Sequence, residues 1–339
     1  MSATASMTAR PPSRATERLG TGPADLARAA AILSQGGLAA FPTETVYGLG
    51  ADGRDGRAVA ALYAAKERPQ FNPLIAHLGS VDEAMREGLF DGAAERLARA
   101  LWPGPLTLVV PVSPGCRVSE LARAGLDSVG LRVPSHPVAS ALLAECAFPV
   151  VAPSANRSGR VSPTSAAHVL ADLDGRIDAI VDGGACAVGV ESTIVACLGG
   201  PPRLLRPGGV PREAIESVLG TPLEGLLAPG ARPLAPGALA SHYAPRAQVR
   251  LAAREVQSDE AALSFGPELP GDCLARQNLS PAGVLQEAAA NLFAYLRQLD
   301  GTGPRRIAVA SIPEDGLGEA INDRLRRAAA DRGEATSSA

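Results

Sequence analysis

Apolar positions in residues 23–219 switch repeatedly between helical and extended spacing. From Pro23 to Gln35 they recur on one helical face, and two glycines follow directly, which predicts a helix that ends there. Further helices are predicted over 57–68, 82–88, 93–102, 136–146, 164–173 and 211–219. Short apolar runs predict strands over 38–42, 73–78, 106–112, 129–133, 150–152, 179–181, 193–197 and 203–205. Because the alternation is irregular and contains strand pairs, it predicts an α/β domain with a mixed twisted sheet and helices, rather than a doubly wound sheet.

Composition divides the chain into four parts. Residues 1–22 lack apolar periodicity and are predicted to be a disordered tail; an organelle-targeting peptide would have a similar composition, but Pro11 and Pro12 disfavour its amphipathic helix. Residues 23–219 form the large domain, and residues 220–246 are a proline-rich linker. Residues 247–335 are predicted to form a small C-terminal α/β domain. Its elements are strands at 248–252 and 307–312 and helices at 280–299 and 317–330, with Ser280 as an N-cap before Pro281.

Length, charge and cysteine content narrow the classes of function. A chain of 339 residues with 46% hydrophobic residues can form two packed domains. The net charge of −3 argues against a dedicated nucleic-acid binder. Five cysteines without a Cys-x-x-Cys pair suggest neither disulfides nor a thiolate zinc site, which favours a reducing cytoplasm. No apolar run is long enough to span a membrane, so a soluble protein is expected.

Several basic side chains lie at the end of a predicted helix or inside a predicted apolar strand, and a charge inside an apolar strand is unusual. Lys66, the only lysine among 32 basic residues, ends a predicted helix together with Arg68. His77 lies inside a predicted strand, and Arg132 interrupts another. A charge inside an apolar strand must be paired or bind an anion, so Arg132 suits the carboxylate of an amino acid. Structural explanations remain open for all of them: helix capping for the first two, a core position for His77 and an internal salt bridge for Arg132.

Polar loops follow several of the apolar strands. They are Thr43 to Gly50, Pro153 to Gly159, Gly189 to Thr193 and Arg206 to Gly208. Together they supply cations, hydroxyls and turns rich in backbone amides, without a catalytic triad, a metal-ligand spacing, a Walker loop or a dinucleotide fingerprint. This set of groups matches charge neutralisation on a phosphate, which is the main requirement of nucleotidyl transfer.

These segments, in this order, resemble the YrdC-like family of threonylcarbamoyl-AMP synthases in its two-domain form. The resemblance covers about residues 22–335. The matching segments in the large domain are Pro42 to Leu49, Lys66-Glu67-Arg68-Pro69, Asn72-Pro73-Leu74, Trp102 to Thr107, Arg132-Val133-Pro134, Pro153 to Asn156, Glu191-Ser192-Thr193 and Arg206-Pro207-Gly208. The match continues through His242-Tyr243-Ala244-Pro245, Gly316-Leu317-Gly318 and Ile321 to Leu325.

The resemblance implies a YrdC-like fold and a specific reaction. L-Threonine, bicarbonate or CO2, and ATP would yield threonylcarbamoyl-AMP and pyrophosphate, with Mg2+ entering on the ATP phosphates and no metal held by the protein itself. Downstream tRNA threonylcarbamoyltransferase proteins would then use the product to modify adenosine. Contact of this chain with tRNA would be at most indirect, and none with a membrane is expected.

The resemblance also implies roles for individual residues. The threonine-binding positions are Thr45, His77, Arg132, Ser154 and Ser192. The nucleotide-binding positions are Lys66, Arg68, Asn72, Ser128, Asn156, Thr164, Arg206 and Tyr243, with Lys66 and Arg68 also expected to act in catalysis. The linker is expected to close over the pocket as a lid, with Tyr243 against the nucleotide. It departs from the family at Ala235-Pro236-Gly237-Ala238, where the family commonly has Ser-Pro-Gly-Met.

Two other functions fit parts of the sequence. A carbamoyl-adenylate-forming module of hydrogenase maturation shares the core fold but normally accompanies zinc-binding Cys-x-x-Cys repeats, which this chain lacks. A non-catalytic binder of double-stranded RNA or tRNA would show salt-sensitive RNA binding without ATP turnover, and the net charge of −3 weighs against it.

Overall fold

A computed structural model describes residues 15–69, 72–225 and 243–330. The helices of the large domain are α1 (Pro23–Ser34), α2 (Gly56–Lys66), α3 (Val81–Glu87), α4 (Gly92–Leu101), α5 (Pro137–Cys146), α6 (Ala166–Leu173) and α7 (Arg212–Leu219). Its strands are β1 (Glu17–Leu19), β2 (Ala39–Phe41), β3 (Gly48–Asp52), β4 (Ile75–His77), β5 (Leu106–Pro111), β6 (Ser128–Arg132), β7 (Val150–Val151), β8 (Ala179–Val181), β9 (Thr193–Ala196) and β10 (Arg203–Arg206).

All strands of the large domain belong to one 10-stranded sheet in the order β1-β8-β2-β3-β7-β4-β6-β5-β9-β10. Strand β4 pairs in parallel with β6 but antiparallel with β7, which confirms the predicted mixed sheet. Successive residues of a strand point to opposite faces. Accordingly Ala39 and Phe41 join a core with α1 and α5, whereas Ala40 joins the larger core beneath α2 and α4.

The C-terminal domain has its own sheet, formed by β11 (Gln248–Arg250), β12 (Glu260–Ser264), β13 (Ala275–Asn278) and β14 (Arg306–Val309). The strands are all parallel, in the order β11-β14-β12-β13. Helices α8 (Leu285–Gly301) and α9 (Leu317–Ala329) pack on this sheet and on each other. The core of this domain continues into the large domain, because Val46, Val161 and Val190 belong to the same buried cluster.

The structure corrects several sequence predictions. Part of the predicted disordered tail is the strand Glu17–Leu19, which pairs with β8; residues 1–14 lie outside the described residues. The helix predicted from Ser280 begins at Leu285, because Gly283 adopts a φ of 71° that interrupts a helix. Ser280 still binds this region, since its hydroxyl accepts a hydrogen bond from the Val284 amide at 2.9 Å. Strands β3, β12 and β13 were not predicted.

Much of the predicted linker, including Ala235 to Ala238 and His242, lies outside the described residues. The described chain resumes at Tyr243, which is 1% exposed. None of the described helices is both long and apolar enough to cross a membrane.

Candidate active site

A cavity of about 50 Å³ lies where β4, β6 and the polar loops meet the C-terminal domain. Every position predicted to bind threonine lines it, together with three of those predicted for the nucleotide. The sequence-predicted lining residues are Thr45, Arg68, His77, Arg132, Ser154, Ser192, Arg206 and Tyr243. The cavity also contains Glu191, to which no role had been given.

The turn between β2 and β3 presents Thr45 to this cavity. The Thr43 hydroxyl donates to the Val46 carbonyl oxygen at 2.7 Å, and it accepts hydrogen bonds from the amides of Thr45 and Val46. This local network stabilises the turn, because the Thr43 hydroxyl forms hydrogen bonds with backbone groups that are not paired in a strand. The Thr45 hydroxyl in turn accepts a hydrogen bond from Arg132 Nη1 at 3.0 Å.

Adjacent parallel strands place His77 and Arg132 side by side, since the two residues are paired in register. The internal salt bridge considered for Arg132 exists: Nη2 lies 2.6 Å from Glu44 Oε1. Arg132 Nε is buried and has no hydrogen-bond partner among the described residues. A guanidinium has five N–H donors, so Arg132 can pair with Glu44 and still offer its Nε–H to a ligand. Burial, reinforced by Arg132, lowers the pKa of His77 to about 3, so its imidazole is neutral near pH 7.

Two other guanidinium groups in the cavity have no carboxylate partner within the described ranges. Arg68 donates to the carbonyl oxygens of Asn72 and Pro73 at 3.4 and 3.2 Å. Arg206 donates to the carbonyl oxygen of Ser192 at 2.9 Å and to its hydroxyl at 3.2 Å. Both arginines are buried, and burial lowers the pKa of Arg68 to about 10 and that of Arg206 below its ordinary value. Buried cations without a counterion favour the binding of an anion.

A close backbone approach holds Ser192 and Arg206 together. A Cβ at Gly208 would lie 2.3 Å from the Glu191 carbonyl oxygen and 2.4 Å from the Thr193 nitrogen, so only glycine fits there. The Ser192 hydroxyl also lies 2.8 Å from that of Thr107 on β5. The Glu-Ser-Thr and Arg-Pro-Gly segments therefore form one rigid unit.

Lys66 does not line the cavity but supports one of its loops. Its ammonium donates to the carbonyl oxygen of Ser154 at 2.5 Å and also to that of Asn156. Burial and the nearby Arg68 lower its pKa well below the ordinary value for lysine. These contacts bind Lys66 to a loop of the site, and the phosphate contact expected from the resemblance stays a prediction. The terminal nitrogen of the lysine anchors the loop that carries Ser154.

The remaining predicted nucleotide positions do not line the cavity. Asn72 and Asn156 each bury a side-chain oxygen that has no hydrogen-bond partner among the described residues. Ser128 begins β6 and shares the strand face of Arg132. The Thr164 amide donates to His168 Nδ1 at 3.3 Å, and His168 lines a larger cleft of about 500 Å³ between the two domains.

The C-terminal domain contacts the cavity wall from behind, through residues that do not line the cavity themselves. Glu191 accepts a hydrogen bond from the Ser162 hydroxyl at 2.5 Å and forms an ion pair with Arg324 of α9 at 2.7 Å. Burial alone would raise the pKa of Glu191, but Arg324 and Arg206 hold it below its ordinary value. Sequence reasoning missed Glu191 and Arg324, although both occur in segments that resemble the family. The sequence did offer a signal, since each of these two charged residues lies in a segment flanked by apolar residues.

The fold and the cavity define a class: a two-domain YrdC-like α/β protein with an arginine-rich cavity. The family model described as telomere recombination matches residues 31–208. The model described as threonylcarbamoyl-AMP synthase, C-terminal domain, matches residues 210–330.

Individual threonylcarbamoyl-AMP synthases are also similar to this protein over nearly the whole chain. Threonylcarbamoyl-AMP synthase of Bacillus subtilis is 40% identical over 94% of this chain and 96% of its own. The protein of that name from Pyrococcus abyssi is 41% identical over 88% of this chain and 92% of its own. The crystal structure of P. abyssi Sua5 complexed with L-threonine matches with a TM-score of 0.84 and 37% identity, over 93% of this chain and 98% of that one. The chain belongs to the threonylcarbamoyl-AMP synthase family, which confirms the resemblance found in its motifs.

Proposed function

We propose that the protein is an L-threonylcarbamoyladenylate synthase, an enzyme that converts L-threonine, bicarbonate or CO2, and ATP into threonylcarbamoyl-AMP and pyrophosphate. The observation that carries the proposal is the pair of buried arginines, Arg68 and Arg206, which lack a carboxylate partner within the described residues and face the same cavity as Arg132. Such a site favours a multiply charged anion. Its relatives carry the corresponding name, and P. abyssi Sua5 has been crystallised with L-threonine.

Threonine is proposed to bind on the β4 and β6 side of the cavity. Arg132 offers its unpartnered Nε to the substrate carboxylate, while Thr45, Ser154 and Ser192 provide hydroxyls. His77 is neutral there, because its pKa of about 3 is far below physiological pH. It can therefore contribute a hydrogen bond without adding a third charge beside the Arg132–Glu44 pair.

ATP is proposed to bind toward Arg68 and Arg206. The threonine amine takes up CO2 and loses a proton to give a carbamate. A carbamate oxygen then forms a bond to the α-phosphorus as the bond from that phosphorus to the pyrophosphate oxygen breaks. Arg68 and Arg206 offset the charge on the transferring phosphorus and on the leaving pyrophosphate, and holding the two substrates side by side makes the attack effectively intramolecular. Mg2+ enters as part of the ATP substrate.

The other nucleotide positions are proposed to contact ATP through the groups that the structure leaves open. Asn72 and Asn156 carry buried, unpartnered side-chain oxygens, and Ser128 and Thr164 add hydroxyls further from the threonine. Tyr243, within the linker, would cover the adenylate when the linker closes. We place the enzyme in the cytoplasm, where tRNA threonylcarbamoyltransferase proteins would consume its product.

Release of pyrophosphate from ATP tests the proposal. We expect release that requires both threonine and bicarbonate, together with formation of threonylcarbamoyl-AMP. Valine in place of threonine should react far more slowly, because it leaves the hydroxyl partners of the pocket unpaired. Pyrophosphate release with carbamoyl phosphate instead of threonine would favour the hydrogenase-maturation activity, and salt-sensitive RNA binding without ATP turnover would favour an RNA binder.

A further inference from the structure

The C-terminal domain inserts one buried guanidinium behind the cavity. Arg324, on α9, is 0% exposed, although arginine is almost never fully buried without partners. Its Nε lies 2.7 Å from Glu191 Oε2, and its Nη1 lies 2.6 Å from Asp323 Oδ2. Nη2 is buried and has no hydrogen-bond partner among the described residues. Burying a guanidinium with one unpaired nitrogen costs free energy, so domain packing alone does not explain this arginine.

The same guanidinium contacts a second residue of the cavity. Its central carbon lies 5.1 Å from the centre of the Tyr243 ring. The Tyr243 ring also stacks on Phe293 of α8, with ring centres 5.7 Å apart and planes 25° apart. Both contacts with the tyrosine ring come from the C-terminal domain. The cation–π contact and the stacking fix the tilt of a side chain that lines the cavity.

Arg324 therefore reaches the cavity along two routes, through Glu191 and through Tyr243. Glu191 directly precedes Ser192, whose carbonyl and hydroxyl oxygens accept hydrogen bonds from Arg206. A shift of Glu191 would move Ser192 and Arg206 with it, because Gly208 packs directly on this backbone. On the other route, a shift of the Tyr243 ring would change the wall next to Arg68 and Arg206.

The domain interface leaves little freedom for this arrangement to relax. A Cβ at Gly189, two residues before Glu191, would lie 2.2 Å from the Ala289 carbonyl oxygen of α8. The backbone leading into Glu191 therefore lies against the helix backbone of the other domain. Arg212 of α7 also pairs with Glu319 of α9 at 2.5 Å, which holds the helix that carries Arg324.

We propose that Arg324 is a positioning residue for the nucleotide side of the reaction, through which the C-terminal domain aligns Glu191, with the adjoining Ser192–Arg206 unit, and Tyr243. This inference rests on the proposed function. Arg324 does not line the cavity and is not assigned a contact with substrate. The role explains why an otherwise separate domain packs directly against the loops of the site.

Kinetics of three variants test this role. Arg324→Met removes both routes, and Arg324→Lys keeps the charge but cannot make the same forked contacts. Glu191→Gln combined with Arg324→Met removes both charges, so that no uncompensated carboxylate is left buried. The matched control is Arg326→Met on the same helix, whose side chain is 54% exposed and pairs with Glu314.

We expect Arg324→Met and the double variant to raise the KM for ATP about 10- to 100-fold, the range that loss of a hydrogen bond to a charged group produces. The KM for threonine should change less than about 3-fold, Arg324→Lys should be intermediate, and Arg326→Met should match wild type. Isothermal titration of ATP provides the same comparison without turnover.

A correctly folded double variant with wild-type ATP affinity, or equal losses for ATP and threonine, would overturn the inference. A wild-type protein that binds ATP but releases no threonine-dependent pyrophosphate would refute the proposed function instead, and the titration would still test Arg324.

Discussion

Two walls of the cavity use the same pair of residue types in different ways. The sheet wall, formed by Thr45, His77 and Arg132, contains the Arg132–Glu44 pair at 2.6 Å. The domain wall, formed by Glu191 and Tyr243, is backed by the Glu191–Arg324 pair at 2.7 Å. In the sheet wall both partners belong to the large domain. In the domain wall the glutamate belongs to the site and the arginine to another domain.

The comparison separates two uses of a buried ion pair. Arg132 is held by a strand that is hydrogen-bonded on both sides, so its ion pair adjusts the charge of a surface that already exists. Arg324 lies on a helix that contacts the site only when the domains are docked, so its ion pair helps to complete the wall. Breaking the first pair should affect the large domain and threonine use, and breaking the contacts around the second should affect docking and ATP use.

The largest effect is expected from Arg132→Met. It leaves Glu44 buried without its cation, which destabilises a protein by about 3–5 kcal/mol. Urea unfolding of the large domain should show this loss, and threonine-dependent turnover should disappear. Arg132→Met combined with Glu44→Gln should regain much of the stability but none of the turnover. A single variant as stable as wild type would show that the pair does not determine the sheet wall.

Gly189→Ala should disturb the domain wall and leave the sheet wall intact. A φ of 77° costs an alanine about 1–2 kcal/mol, and overlap with α8 adds about 1–3 kcal/mol. Gly199→Ala is the control, since Gly199 has a φ of 87° with no atom within 4 Å of its added Cβ. We expect limited proteolysis to release the C-terminal domain from the Gly189 variant only. Equal proteolysis of both variants would argue against tight docking at this glycine.

Arg68 and Lys66 should respond in opposite ways, although they are two residues apart. Arg68→Met removes a buried cation without a carboxylate partner in the described structure, so ATP affinity should fall by about 1.5–3 kcal/mol while the free energy of unfolding stays equal or rises. Lys66→Met leaves the carbonyl oxygens of Ser154 and Asn156 without their donor, which should lower stability by about 1–3 kcal/mol. Calorimetric ATP binding and urea unfolding measure the two quantities separately. If Lys66→Met weakened ATP binding at unchanged stability, Lys66 would be a phosphate ligand after all.

The smallest expected effect is a loss of folding stability at acidic pH. Burial lowers the pKa of His77 to about 3 from a usual 6.5, so on acidification the unfolded chain takes up its proton first. Between about pH 6.5 and about pH 5 the stability of the folded protein should therefore fall, by at most about 1.4 kcal/mol per pH unit from this group, or about 2 kcal/mol over that interval. His77→Gln should remove this part of the slope in urea unfolding between about pH 7 and about pH 5. Parallel slopes for the two proteins would contradict the assignment.

Local sequence patterns sufficed for the mixed sheet and for Arg132 in the sheet wall, whereas Thr45 and His77 were assigned through the family resemblance. Arg132 stands out in an apolar strand, and such a charge must have either a partner or a ligand; the structure gives it Glu44 and an unpartnered Nε. The family motifs also predicted Arg68, Arg206 and Tyr243 as site residues, and all three line the cavity.

The missed features depend on distant partners. Strand Glu17–Leu19 is too short to show a period and exists because β8 offers it a paired edge. The ion pair between Glu191 and Arg324 joins positions 133 residues apart, so neither local segment indicates the other. The role of Lys66 depends on two carbonyl oxygens about 90 residues further along, and carbonyl groups leave no trace in side-chain patterns.

The position of Lys66 has a consequence for chemical stability. Threonylcarbamoyl-AMP, the proposed product, is a mixed anhydride that transfers its acyl group to amines, and lysine is the common side-chain amine. This chain has one lysine, which is 1% exposed and keeps its nitrogen on two carbonyl oxygens. Its other basic residues are arginines and histidines, and the guanidinium of arginine stays protonated and is a poor nucleophile. The folded enzyme therefore presents no lysine amine to its own reactive product, and amine-directed reagents should find none on its surface.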